Sequence, residues 1–145
     1  MSRMIFVNLP VRDVARSTAF YEAVGAEREP NFCNDSTSMM KFSDTIALML
    51  LSHQRFADFT RKTIIDAKTH VQVLIALSAD SRDAVDDMVA KATAAGGEPD
   101  PNPVQDYGFM YGRSFEDPDG HIIEVAWMDV EAALTAMPPK EQQDA

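Results

Sequence analysis

The fold of this chain is decided by Ser114-Phe-Glu-Asp-Pro-Asp-Gly-His-Ile-Ile-Glu-Val-Ala-Trp127, which reads as a strand end, a tight turn and a second strand. Pro118 presets a turn-compatible φ, and Gly120 can adopt the positive φ that closes the turn. Side chains alternate between the faces of a strand, so Glu124 shares its face with small or apolar residues. A carboxylate in that place is costly unless it holds a metal, lines a ligand pocket or is solvated.

Length and charge bound the class of protein. The 145 residues suffice for one domain with its own core. The net charge of −10 argues against a nucleic-acid or anionic-membrane partner. No apolar run approaches the roughly 20 residues of a membrane helix, and the N-terminus lacks a signal-peptide layout, so we expect a cytoplasmic location.

The single cysteine, Cys33, excludes an internal disulfide and a cysteine-rich zinc site. With only Arg28 as a basic neighbour, Cys33 is expected to be inert.

One pattern of strands and helices occurs twice along the chain. In the first unit Asp13 caps a helix that ends at Gly25, and in the second a helix begins at Ser81 and stops at Gly96. Each helix follows one strand and precedes three. We therefore expect a single domain over residues 1–145, with module one at about 4–52, a connector at 53–70, module two at about 71–129 and a C-terminal tail at 130–145. The strand that opens module two is predicted over residues 71–78.

Two motifs give this sequence a family resemblance. The first, Val-x-Asp-x-x-x-Ser-x-x-Phe-Tyr, is present as Val11, Asp13, Ser17, Phe20 and Tyr21. The second is the Asp117-Pro-Asp-Gly120 turn followed by Glu124. Together they resemble the glyoxalase / bleomycin-resistance / extradiol-dioxygenase superfamily, also called vicinal oxygen chelate proteins. The stretches 105–117 and 127–129 look like a bacterial subgroup labelled predicted lactoylglutathione lyase.

The resemblance implies a fold and a type of site. It implies an α+β protein in which two βαβββ modules form a cupped, half-open barrel, often as a homodimer. Helices would cover the convex side. The concave side would bind a small molecule, which a divalent metal chelates in metal-using members.

The metal site implied by the resemblance is degraded in this chain. Its four ligand positions fall on Phe6, Met49, Gln72 and Glu124. Phe6 has no donor atom, and the thioether of Met49 is a poor ligand for hard divalent cations. Gln72 and Glu124 remain as weak metal candidates. We therefore expect no cofactor.

Several residues are candidates for binding or catalysis. By alternation, Phe6, Asn8, Gln72 and Glu124 line the concave side, and Met49 borders it. Glu124 is the candidate general acid or base. A strand predicted over 107–115 carries two further candidates, Tyr107 and Arg113. If its aromatic face lines the cup, Arg113 clamps an anionic substrate; otherwise the aromatic residues pack under the helix and Arg113 lies at the edge.

The sequence is compatible with three functions. The first is an enzyme of the glyoxalase-like group, a lyase or isomerase that uses Glu124. The second is a metal-free protein that binds and sequesters a small molecule in an apolar cup, as bleomycin-resistance proteins do. The third is a non-catalytic dimerisation scaffold.

Overall fold

The computed structural model describes residues 2–136 and has the expected α+β architecture. Module one forms a sheet in the order β1-β4-β3-β2, in which β1 runs parallel to β4. Its helix lies between the first two strands of the chain. The elements are β1 (Ile5–Val11), α1 (Val14–Ala23), β2 (Glu27–Arg28), β3 (Thr37–Lys41) and β4 (Ile46–Ser52), and a short helix, α2 (His53–Ala57), opens the connector.

Module two repeats this topology in a separate sheet. Its strand order is β5-β9-β8-β6, β5 is parallel to β9, and β7 pairs with β8 beside this path. The two sheets do not join into a closed barrel. The elements are β5 (Ile75–Ser78), α3 (Arg82–Ala94), β6 (Glu98–Pro99), β7 (Gln105–Asp106), β8 (Met110–Glu116), β9 (Ile122–Met128) and a last helix, α4 (Val130–Ala136).

Local sequence signals set the ends of the two long helices. The Asp13 side chain accepts a hydrogen bond from the backbone N–H of Arg16 at 3.1 Å, and Ser81 does the same for Ala84 at 3.0 Å. Both side chains satisfy N–H groups that have no partner inside the first turn of a helix. Gly25 follows α1 with a φ of 109°, a conformation that favours glycine.

The core lies between the sheets and helices α1 and α3. Alternation predicts that Leu9, Ile123 and Val125 pack under the helices, and all three are buried there. Ile5 and Val73, which alternation assigns to the same face, are each 57% exposed. The rings of Phe20 and Phe115 lie 5.9 Å apart and join the two modules. Each such large apolar side chain contributes about 1.5–3 kcal/mol when it is fully buried.

Two predicted strands are shorter in the structure. The strand predicted over 71–78 begins only at Ile75, so Gln72 precedes it. Residues 26–32 also have a strand pattern, but only Glu27–Arg28 form a strand, because Pro30 has no N–H for a sheet and opens a 3-10 turn instead. The helical turn expected at the start of the tail is present as α4, and residues 137–145 lie outside the described residues. No helix within residues 2–136 is long and apolar enough to cross a membrane.

Candidate small-molecule site at the module junction

A buried carboxylate fixes the Asp117–Gly120 turn. Asp117 Oδ2 accepts a hydrogen bond from the Tyr21 hydroxyl at 2.7 Å, and Oδ1 accepts from the backbone N–H groups of Asp119 and His121 at 2.9 Å each. Burial raises the pKa of Asp117, although these hydrogen bonds and the nearby His121 partly offset the effect. Burial and the adjacent Asp117 raise the pKa of Tyr21 well above its usual range.

The second carboxylate of the turn holds the start of α1. Asp119 Oδ1 accepts from the backbone N–H of Arg12 at 2.9 Å, and Oδ2 accepts from the Ser17 hydroxyl at 3.3 Å. Because Ser17 and Tyr21 belong to the first motif of the sequence, the two motifs bind each other directly. From residue type alone, Asp117 and Asp119 are expected to be turn formers, and no local pattern in the sequence indicates this contact.

Gly120 brings the connector against the turn. Its φ is 99°, and a Cβ at this position would lie 2.6 Å from the backbone nitrogen of Lys68 and 2.7 Å from the carbonyl carbon of Ala67. A side chain would therefore clash with backbone atoms as well as strain the turn. The glycine lets residues 67–68 cross directly over the turn.

A cavity of about 510 Å³ lies between β1, the connector and the start of β9. This connector cavity has an apolar lining that includes Leu9, Pro10, Phe56, Ile64, Ile65 and Ile122. Asn8, Lys62, His70 and Gln72 supply polar groups. A volume of this size with few polar groups is typical of sites for small organic molecules.

His121 borders the connector cavity and is oriented by the first strand. Its Nε2 lies 2.8 Å from the carbonyl oxygen of Pro10. A carbonyl oxygen only accepts hydrogen bonds, so Nε2 carries the proton and donates it. Alternation predicts that His121 lies on the helix side of the strand with Ile123, whereas in the structure it lies at the cavity wall.

The structure brings some of the predicted site residues together. Asn8 and Gln72 both line the connector cavity, whereas Phe6 and Met49 do not. Phe6 is 48% exposed, and Met49 is the register partner of Asn8. Gln72 reaches the cavity from the irregular segment before β5 rather than from a strand.

Glu124 lies next to the cavity but outside its lining. It is half-buried on the face of β9 opposite the buried Ile123 and Val125, with Ala76 and Ser114 as its register partners. Ile122 lines the cavity and lies two residues earlier on the same face, which is a spacing of about 7 Å along a strand.

Arg113 lies on the other face of the sheet, away from Glu124. Its register partner is the buried Val125, and its guanidinium contacts Asp100 at 2.7 Å and Asp86 at 3.0 Å. Tyr111 also donates to Asp86. Asp86 belongs to α3, so Tyr111 and Arg113 face this helix rather than Glu124.

Tyr107 is likewise remote from the cavity. It is 60% exposed, precedes β8, and its hydroxyl donates to the side-chain oxygen of Gln105 at 2.6 Å. The strand predicted from this residue begins later, because Gly108 takes a φ of 78° and forms a turn.

The residues at the four implied ligand positions do not fit a divalent metal. Phe6 offers no donor, Met49 offers a thioether, and Gln72 lies in an irregular segment rather than on the concave face of a strand. Within residues 2–136 no three His, Cys, Asp or Glu side chains are grouped so as to hold a metal ion. We therefore derive no chemistry through a metal.

The surroundings of Cys33 affect the pKa of its thiol in both directions. Burial raises its pKa, but hydrogen bonds from the backbone of Met39 and from Arg28 and Ser38 outweigh burial and lower the pKa overall. Arg28 lies close because the 3-10 turn at Pro30–Phe32 folds the chain back on itself. Periodicity alone did not reveal that turn.

Comparisons with known proteins agree with this fold. The sequence model of the Glyoxalase/Bleomycin resistance protein/Dioxygenase superfamily matches residues 3–125, so the chain belongs to this superfamily. No curated protein sequence matches the chain significantly.

Three solved structures illustrate the similarity. Hypothetical protein SA1046 from S. aureus has a TM-score of 0.72 and 24% identity over 88% of this chain and 94% of its own. A glyoxalase/bleomycin resistance protein/dioxygenase family enzyme from Burkholderia phytofirmans PsJN has a TM-score of 0.70 and 20% identity, covering 88% and 99%. The fosfomycin resistance protein FosX from Mesorhizobium loti has a TM-score of 0.62 and 18% identity, covering 92% and 96%. At these identities the likeness concerns the fold alone.

Proposed function

We propose that this protein binds a small, largely apolar organic molecule in the connector cavity. The observation that carries the proposal is the cavity itself, about 510 Å³ with a mostly apolar lining, at the point where the two modules and the connector meet. Burying a ligand's apolar surface there supplies the main driving force, at about 25 cal/mol per Å². The amide groups of Asn8 and Gln72 orient the ligand by hydrogen bonds.

A cavity-filling variant tests this proposal. Val71 lines the cavity and is 63% exposed, whereas Val130 is 61% exposed and does not line it. We expect Val71→Trp to abolish the thermal shift produced by fragment-sized aromatic ligands. The matched variant Val130→Trp should keep it. Equal binding to both variants would place the ligand elsewhere and contradict the proposal.

Catalytic conversion is the second candidate function, and it depends on Glu124. Glu124 lies one strand repeat beyond the cavity residue Ile122, and its side chain makes no ion pair within the described part of the chain. A ligand that extends past Ile122 would meet this carboxylate, which could transfer a proton as general acid or base. The reaction would be of the lyase or isomerase class.

A measurement of substrate turnover distinguishes ligand binding alone from catalysis. A Glu124→Gln variant should lose turnover of any substrate found while it retains ligand binding. Full turnover in that variant would exclude Glu124 as the acid or base. We expect little or no activity on the glutathione hemithioacetal of methylglyoxal, which a direct absorbance assay measures.

We also propose that the protein forms a homodimer. Strands β1 and β5 stand at the ends of their sheets, where edge groups are open to pairing. Exposed apolar side chains cluster at the start of β1 and before β5, namely Ile5, Phe6, Val71, Val73 and Leu74. Light scattering should report a dimer that Phe6→Asp weakens. A stable dimer that binds no fragment would favour the scaffold function instead.

A further inference from the structure

The connector cavity differs in charge from the rest of the protein. Acidic residues outnumber basic ones in this chain, 23 to 13. Among the described residues that line the cavity none is acidic, and the titratable groups there are Lys62, His70 and His121. The lining is therefore neutral to positive in a molecule that is otherwise strongly negative.

Three carboxylates near the cavity are occupied by other partners, and Glu124 lies outside the lining, two residues beyond Ile122. Asp66 accepts from the Arg12 guanidinium at 3.3 Å and from the backbone N–H of Lys68 at 3.0 Å. Asp117 and Asp119 are buried and bind hydroxyl and backbone donors of α1 and the turn. None of the three is positioned as a partner for Lys62, which makes no ion pair within residues 2–136.

The lining of the cavity combines polar groups with apolar side chains. Lys62 and His70 both line it, and both are exposed. The Nδ1 of His70 shares a hydrogen bond with the Thr69 hydroxyl at 2.8 Å, and its Nε2 makes none within residues 2–136. Leu9 and Ile122 belong to the apolar part of the lining, which we call the floor. The cavity therefore offers a charged contact and apolar contacts to one ligand.

We propose that the ligand of the connector cavity is a small organic anion, with its charged group against Lys62 and His70 and its apolar body against the floor. This inference rests on the proposed function and names the ligand class. One solvent-exposed ion pair adds little binding free energy. We therefore expect the anion to bind about fivefold more tightly than a neutral ligand of the same shape.

A set of three probes with one apolar body tests the inference. Phenylacetate, phenylacetamide and phenethylamine carry an anionic, a neutral and a cationic group, and methyl NMR of the full chain follows their binding at Leu9 and Ile122. Phenylacetate should bind most tightly and phenethylamine least tightly. The preference should shrink as salt is raised, because the contact is exposed.

A pair of matched variants locates the charge. Lys62→Met should reduce the preference for phenylacetate over phenylacetamide to about twofold or less. Lys68→Met removes the same charge from the same connector but at a residue outside the lining, and it should leave the preference unchanged.

The outcomes distinguish this inference from the proposed function. Equal binding of all three probes, or an unchanged preference in Lys62→Met, would overturn the anion assignment and leave the cavity as a ligand site. Failure of all three probes to shift the cavity methyl groups at millimolar concentration would overturn the proposed function and the inference together.

Discussion

The Asp117–Gly120 turn and the connector touch at Gly120, but their polar groups differ in burial. In the turn, both carboxylates are buried, and both bind donors from the turn or α1. In the connector, Lys62 and His70 are exposed and line the cavity. The polar groups of the turn hold the two modules together, whereas those of the connector are free to contact a ligand.

This contrast indicates that the turn stabilises the fold and that the connector recognises the ligand. A buried carboxylate that already accepts three hydrogen bonds has little left for a ligand. The turn therefore serves as the support of the site. The connector packs over it and supplies the groups that can tell one small molecule from another. The following predictions test that division.

The largest effect is expected at Asp117. Replacing Asp117 with Ala leaves the Tyr21 hydroxyl and two backbone N–H groups buried without an acceptor. We expect a loss of about 3 kcal/mol or more in the free energy of unfolding, measured by urea denaturation. Asp44→Ala, an exposed aspartate in the hairpin before β4, should change the free energy by less than about 0.5 kcal/mol.

Gly120→Ala should affect both regions. A side chain at this positive φ costs about 1–2 kcal/mol, and its Cβ would push on the connector backbone at Lys68. We expect the variant to unfold more easily and also to bind fragments more weakly. A variant that loses stability but keeps wild-type binding would show that the connector does not depend on the turn.

Tyr21→Phe removes one hydrogen bond to a buried carboxylate and keeps the ring in the core. The expected loss is about 1.5–2 kcal/mol of unfolding free energy, measured by chemical denaturation. Ligand affinity should not change. A change in affinity without a loss of stability would contradict the supporting role of the turn.

The pKa shifts of two carboxylates predict pH dependences of opposite sign. Burial raises the pKa of Asp117 in the folded state, so its ionisation costs stability as pH rises above about 3.8. Hydrogen bonds from Tyr111 and Arg113 lower the pKa of Asp86, so its stabilising contribution is present above that pH and is lost as pH falls below it. Denaturation of the Asp117→Asn and Asp86→Asn variants from pH 3 to 7 measures both slopes. Slopes of the same sign would contradict the assignment.

The smallest effect on stability is expected in the connector. Lys62→Met should change the free energy of unfolding by less than about 0.5 kcal/mol, because the side chain is exposed and unpaired within residues 2–136. Calorimetric unfolding checks this. A loss comparable to that of Tyr21→Phe would assign the lysine to the fold rather than to recognition.

The sequence predicted most of the fold because its signals are local. Asp13 caps α1 as expected, and the alternation in β9 correctly placed Ile123 and Val125 in the core. The candidate site was less predictable. The pattern predicts a strand at Gln72, which lies before β5, and Arg113 is bound by Asp86 of α3 and by Asp100 after β6, which alternation does not reveal.

The sequence by itself determined the superfamily fold, the position of the turn and the loss of donors at Phe6 and Met49, because these depend on residue type and short spacing. The tertiary structure decided that Asp117 and Asp119 bind α1 from across the chain, and that the connector closes a cavity beside Glu124. Those contacts join residues about a hundred positions apart, and only the packing of the two modules brings them together.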